Sequence, residues 1–293
     1  MGGGAGKGGA AAAGTGGRAE AGGGSGGAPE AGAGGDGGAP PSGPYQAVMG
    51  EVCPLPTTIG VVQLSGFPAP YVQVTLYDGV NPWIGEPELT TATCAFHHYS
   101  AGGCPTCAGG ETCSIAGDCV PERRTVKDAT LLVSAGGMER EYAADTQLGG
   151  IYSMLDIGTA SSSYDMTLKW GDTEVVLGPM AVASGELTDL EVKTEGDSSQ
   201  PGALDATWAP STDGAFVRST IPINHHAGGP TFTECSAPAS AGSFHADAAM
   251  IDPLSVVTGL EFQGVEHVFV AAAQTPAGCI EFRFGEQIYA LPN

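Results

Sequence analysis

Gly278-Cys279-Ile280-Glu281-Phe282-Arg283-Phe284 alternates apolar and polar residues near the end of the chain. An extended backbone turns successive side chains to opposite faces. Ile280, Phe282 and Phe284 therefore share one side, and Cys279, Glu281 and Arg283 share the other. Three large apolar groups mark their side as the buried face of a strand.

The same period of two recurs upstream. Val72, Val74 and Leu76 alternate with Gln73, Thr75 and Tyr77. Tyr164, Met166, Leu168 and Trp170 alternate with Asp165, Thr167 and Lys169, and Leu204, Ala206 and Trp208 with Asp205 and Thr207. Further strands are predicted at 60–65, 129–134, 174–177, 190–193, 215–221, 243–247 and 267–272. Turn signals fall between them at Asp78-Gly79, Gly171-Asp172, Asp213-Gly214 and Gly228-Gly229-Pro230. The one helix-like piece, 246–251, is stopped before Pro253. Short strands at regular spacing with so little helix predict an all-β chain of tandem antiparallel β-sandwich, Ig-like domains.

Residues 1–44 are set apart by composition. They are almost wholly Gly, Ala, Ser and Pro. With nothing to bury, such a segment does not offset the entropy of ordering, and it is expected to act as a disordered, low-complexity tether reaching roughly 35 Å. A first β domain is expected at 45–182, carrying a cysteine-rich knot at 94–120. A second β-sandwich domain is expected at 183–293, after the polar cluster around Glu195–Gly202.

The eight cysteines set the compartment. Cys104, Cys107, Cys113 and Cys119 form a C-x2-C-x5-C-x5-C cluster too poor in apolar residues to make a core. Crosslinks hold such segments together. A four-cysteine zinc site is the rival reading, but only Cys104 and Cys107 have knuckle spacing. The expected pairs are Cys104–Cys113 and Cys107–Cys119. Cys235 is placed by alternation with Thr231 and Thr233, facing away from the core as Cys279 does. A Cys235–Cys279 bond would then clamp the outer face and leave Cys53 with Cys94. Disulfides imply an extracellular or outer-surface location.

Charge excludes whole classes of partner. The chain carries 32 acidic against 10 basic residues, a net charge of −22. No basic stripe exists for nucleic acid or an anionic membrane. No run approaches the length of a transmembrane helix. No leader pattern opens the sequence, so export is expected to rest on a leader or a lipid-anchoring cysteine lost from it.

Leu204-Asp205-Ala206-Thr207-Trp208-Ala209-Pro210, Cys235, Ala241-Gly242-Ser243-Phe244 and Gly278 to Arg283 together resemble a family of exported, often lipid-anchored bacterial β-sandwich proteins. The resemblance implies the fold and a surface location. It implies no active site.

Chemistry-bearing motifs are sparse. The Gly-x-Ser-x-Gly at 23–27 lies in the tether, where a nucleophile elbow has no strand or helix to sit on. The adjacent pairs His97-His98 and His225-His226 fall in expected loops, with His245 and His267 elsewhere. Imidazole suits copper and zinc. Neighbours on an extended chain point apart, however, so two loops would have to converge on one ion. Asp78, Asn81, Glu86 and Glu88 could hold calcium, yet Asp and Asn also cap turns through their own backbone. Tyr71, Tyr77, Trp83 and Tyr99 are candidates for a sugar or protein contact surface.

The expected function is thus a non-enzymatic, surface-exposed or secreted protein for adhesion, binding or envelope structure, with no cofactor and a protein or glycan ligand. An extracellular metal-binding protein and a secreted hydrolase with two paired carboxylates are the alternatives.

Overall fold

Period-two alternation becomes strand wherever it was expected. The computed structural model describes residues 43–65, 70–99, 103–104, 106–145, 149–155, 163–183, 187–196, 202–223, 230–254, 260, 262 and 264–290. The tether at 1–44 lies outside them except for Gly43 and Pro44.

Four sheets organise the described residues. The largest has ten strands. From one edge they run β11 (Ile151–Met154), β4 (Tyr71–Leu76), β3 (Thr58–Ser65), β20 (Gly278–Ile288), β19 (Val265–Thr275), β16 (Phe216–Pro222), β17 (Phe232–Pro238), β6 (Cys94–His97) and β5 (Leu89–Thr90). The tenth, β2 (Val48–Met49), pairs with β19 beyond the end of β16. A five-stranded sheet is ordered β1 (Tyr45–Gln46), β13 (Thr173–Met180), β12 (Tyr164–Trp170), β9 (Thr130–Ala135) and β10 (Met138–Ala143). A three-stranded sheet holds β14 (Glu191–Thr194), β15 (Leu204–Thr207) and β18 (Ser243–Ala246). A ribbon of β7 (Glu111–Cys113) and β8 (Cys119–Pro121) lies in the cysteine knot. One short helix, α1 (Ala248–Ile251), falls inside the helix-like stretch.

The sheets stack into two cores. In the first, Val62, Leu64, Val72, Val74, Leu76, Ile280, Phe282 and Phe284 of the long sheet meet Leu131, Val133, Tyr164, Met166, Leu168, Val175 and Leu177 of the five-stranded sheet. In the second, Phe96, Val217, Ile221 and Ala237 meet Val192, Leu204, Ala206 and Phe244 of the three-stranded sheet, closed by Met250, Ile251 and Leu254. Both cores lie on one face of the long sheet. Val265 enters the second core, Ala271 and Ala273 enter the first, and Phe269 between them packs against both. All four are odd-numbered positions of one regular strand, so they share a side.

Local chemistry explains the turns. Two residues join β9 to β10, with Ala135 opposite Met138. Both linking residues, Gly136 and Gly137, have positive φ (58° and 81°), as a tight hairpin of this hand demands. At Gly285 the constraint is close approach. A Cβ there would lie 2.0 Å from the His267 carbonyl oxygen on β19.

Three expectations are corrected. The sheets are not purely antiparallel, because β3 runs parallel to β20 and β1 to β13. The long sheet crosses the expected division at 182/183. Strands β19 and β20, from the expected second domain, pair with each other and with β3 of the first. Periodicity gives each strand's buried side but carries no information about its distant partner. The knot is also narrower than 94–120, because Cys94 belongs to β6 and only Cys104 to Cys119 are bonded within it.

Candidate functional site

The disulfides come first, because they build the site. Cys104–Cys113 and Cys107–Cys119 pair as expected. The other two do not. Cys53 bonds Cys279, and Cys94 bonds Cys235. Cys94 and Cys235 are direct cross-strand neighbours, 4.1 Å apart at Cα. Cys235 also faces inward, with Thr231 and Thr233, and all three are buried. The expectation that Cys235 faces out fails because the three-stranded sheet covers that side. Cys279 does point away from Ile280 and Phe282. It is nonetheless buried, because the segment around Cys53 crosses over it. All eight cysteines are paired.

The opposite face of the long sheet carries a row of charge. Arg218 Nη1 donates to Glu281 Oε1 at 2.6 Å, and Arg283 Nε donates to the same oxygen at 2.5 Å. The Cys53 backbone N–H donates to Glu281 Oε2 at 2.9 Å. Arg283 also pairs with Glu266 at 3.6 Å. Further along the row, Glu234 meets His97 at 3.2 Å. The positions follow from register. Arg218 faces Glu266 on one side and Ser236 on the other, and Glu234 faces Ala95.

Burial and charge compete at Glu281. Removal from water alone would raise its pKa, but the guanidinium groups of Arg283 and Arg218 hold it below the ordinary carboxylate range. Loss of solvation lowers Arg283, yet Glu281 and Glu266 leave it raised overall. Both stay charged at neutral pH.

Beside this row opens a cleft of about 320 Å3. One wall is the segment Val52–Pro54, and the other is the β5–β6 hairpin from Thr90 to Ala95. Arg218, Glu234 and Ser236 line the space between them. Each wall is stapled to the sheet by one long-range disulfide, Cys53 to β20 and Cys94 to β17. The hairpin is shaped by Thr91 Oγ1, which accepts from Cys94 N at 2.9 Å and Thr93 N at 3.3 Å.

The described histidines do not assemble as a metal site would require. His97 is buried, stacked on Phe232 and bonded to Glu234 and the Gly85 carbonyl. His98 is exposed and meets Glu88 at 3.2 Å. His225 and His226 lie outside the described residues. His245 bridges two carboxylates, Asp205 through Nδ1 at 2.7 Å and Asp247 through Nε2 at 3.1 Å. Its pKa is raised, mainly by the bond to Asp205. Both ring nitrogens being engaged, the three groups surround the imidazole and do not converge on an ion. Among the described residues no group of three ligands could hold a metal.

The calcium candidates do different work: Asn81 caps its own turn, Asp78 ties to a distant backbone and Glu88 meets His98. Asp78 Oδ1 accepts from Arg124 N at 2.7 Å, and Asn81 Oδ1 accepts from Trp83 N at 3.1 Å. The aromatic candidates also serve locally. Arg123 stacks 3.9 Å over the Tyr77 ring, and Trp83 Nε1 donates to the Cys113 carbonyl. Tyr71 and Tyr99 are half-buried.

Sequence reasoning placed Glu281 and Arg283 on the face opposite the core, and they are there. It missed Arg218, Glu234 and Glu266 as their neighbours. The available signal was an arginine at 218 within an otherwise uncharged strand stretch, in a chain with only ten basic residues.

No protein-family model matches the sequence, and neither does any curated protein. Among solved structures, chicken CNTN1 FN1–FN3 domains align over 75% of this chain and 79% of that one, at 12% identity and a TM-score of 0.20. A likeness of that size carries no argument. The fold rests on the sheets themselves: an all-β chain of stacked sheets with four disulfides. That bonding belongs to an oxidising, non-cytoplasmic compartment. Among the described residues no helix is long and apolar enough to cross a membrane.

Proposed function

We propose that this is a secreted or surface-exposed binding protein, acting in adhesion or envelope structure without turnover of its own. One observation carries the reading. Two disulfides spanning 226 and 141 residues hold two walls rigidly beside a charged sheet face. A staple that pre-sets a cleft favours recognition, because ordering on binding is already done. The acidic surface keeps such a protein soluble and away from nucleic acid. The partner is a protein or a glycan met outside the cell.

The test is fractionation of the native cells, joined to a binding assay of intact cells with and without this protein. Recovery from the outer surface or medium, with loss of adhesion on deletion, supports the reading. Recovery from the cytoplasm overturns the location. Hydrolase or redox turnover by the purified chain overturns the non-enzymatic part.

A further inference from the structure

We propose that the cleft between Val52–Pro54 and the Thr90–Ala95 hairpin binds a single neutral sugar residue through Arg218, Glu234 and Ser236. This rests on the binding-protein reading and names its ligand class.

The floor offers unmatched hydrogen-bonding groups of both kinds. A guanidinium has five N–H donors. Arg218 uses Nη1 on Glu281 and has no other partner among the described residues, although only 6% of its surface is exposed. Glu234 commits Oε1 to His97, and its Oε2 has no partner among the described residues. The hydroxyls of Thr90 and Ser236 have none there either, and both residues line the cleft. A ligand that fits must therefore accept from Arg218 and donate to Glu234.

Charge narrows the choice. The arginines and carboxylates of the row, Arg218 and Arg283 against Glu281, Glu266 and Glu234, sum to −1 in a chain of net charge −22. That field opposes an anion. A cation would have to sit against the donors of Arg218. A hydroxyl accepts and donates at once and carries no charge, so neighbouring ring hydroxyls answer both groups. The apolar lining of Val52, Pro54, Ala92 and Ala95 suits the C–H faces of the ring. The volume of about 320 Å3 is at the small end for ligand sites and suits one ring, not an extended chain. Among the described residues no aromatic side chain lines the cleft, so hydrogen bonds carry recognition and affinity for one free sugar is weak.

Saturation-transfer NMR on the oxidised full chain tests this, with glucose, galactose, mannose and a zwitterionic amino acid as separate probes. One saturable hexose site is expected. Glu234→Gln and Ser236→Ala, each melting as the parent does, should weaken it, the first roughly tenfold. Should Glu234→Gln melt low, Ser236→Ala alone decides. No hexose signal, a signal unmoved by the substitutions, or amino-acid binding in place of hexose overturns the proposal. Cell fractionation is independent of these outcomes, so a chain found outside the cell that ignores hexoses loses the ligand and keeps the location.

Discussion

Arg218 on β16 and Glu281 on β20 form an ion pair at 2.6 Å that bridges the intervening strand β19, with both side chains almost out of solvent. Glu281 receives a second guanidinium and a backbone N–H, so its two oxygens serve three donors. A buried charge is stable only when its partners are all present, and here one carboxylate holds two arginines and the Cys53 segment together.

Replacing Glu281 with Ala strands Arg218 and leaves Arg283 with Glu266 alone. The expected loss is about 3–5 kcal/mol, the range for breaking one side of a buried pair. Calorimetry of Glu281→Ala against the parent measures it. A melting temperature within a degree or so of the parent would remove the pair from the stabilising core.

Acid should act through the same carboxylate. The folded-state pKa of Glu281 lies below its unfolded value, so its stabilisation is present above the unfolded value. It is lost as pH falls through that lowered value. Denaturant midpoints should fall more steeply with acid in the parent than in Glu281→Gln.

His245 gives the opposite slope. Its folded-state pKa is raised, so the contribution is complete below the ordinary histidine value of about 6.5. It fades as pH rises through the raised value. His245→Gln should therefore lower the melting temperature in mildly acidic buffer and have little effect in alkaline buffer. The effect is small, because the site is exposed and screened. Equal effects at both extremes would refute the bridge to Asp205 and Asp247.

Trp208 anchors the second core with its ring beside Phe244 and its Nε1–H donating to the Ala239 carbonyl at 2.7 Å. Trp208→Phe keeps an aromatic ring but removes the shorter of two hydrogen bonds to that carbonyl, which still accepts from Ser211 N at 3.2 Å. A cost of about 0.5–1.5 kcal/mol is expected in chemical denaturation.

Much of the fold was legible because alternation is a local signal. The alternating sets Val72, Val74, Leu76 and Leu204, Ala206, Trp208 were read as sharing one side of a strand, and that side is buried in each case. Strand β10, Met-Glu-Arg-Glu-Tyr-Ala, was not read as a strand, because five of its six residues are exposed and no apolar face marks it. Cys235 was misread for a different reason. Its neighbours Thr231 and Thr233 are polar, yet each is buried, and the Thr233 hydroxyl donates to the Met250 carbonyl at 2.7 Å. A hydroxyl with a partner sits in a core at little cost, so polarity did not mark the outside. The cleft was illegible for a third reason. Its groups come from residues 52 to 236, and only long-range pairing brings them together.

Disulfide mapping of the unreduced protein from its native source tests the account most directly. Proteolysis and mass spectrometry should recover Cys53 linked to Cys279, Cys94 to Cys235, Cys104 to Cys113 and Cys107 to Cys119. A Cys235–Cys279 peptide would leave neither wall of the cleft stapled as described. Eight free thiols would remove both the braced cleft and the oxidising compartment.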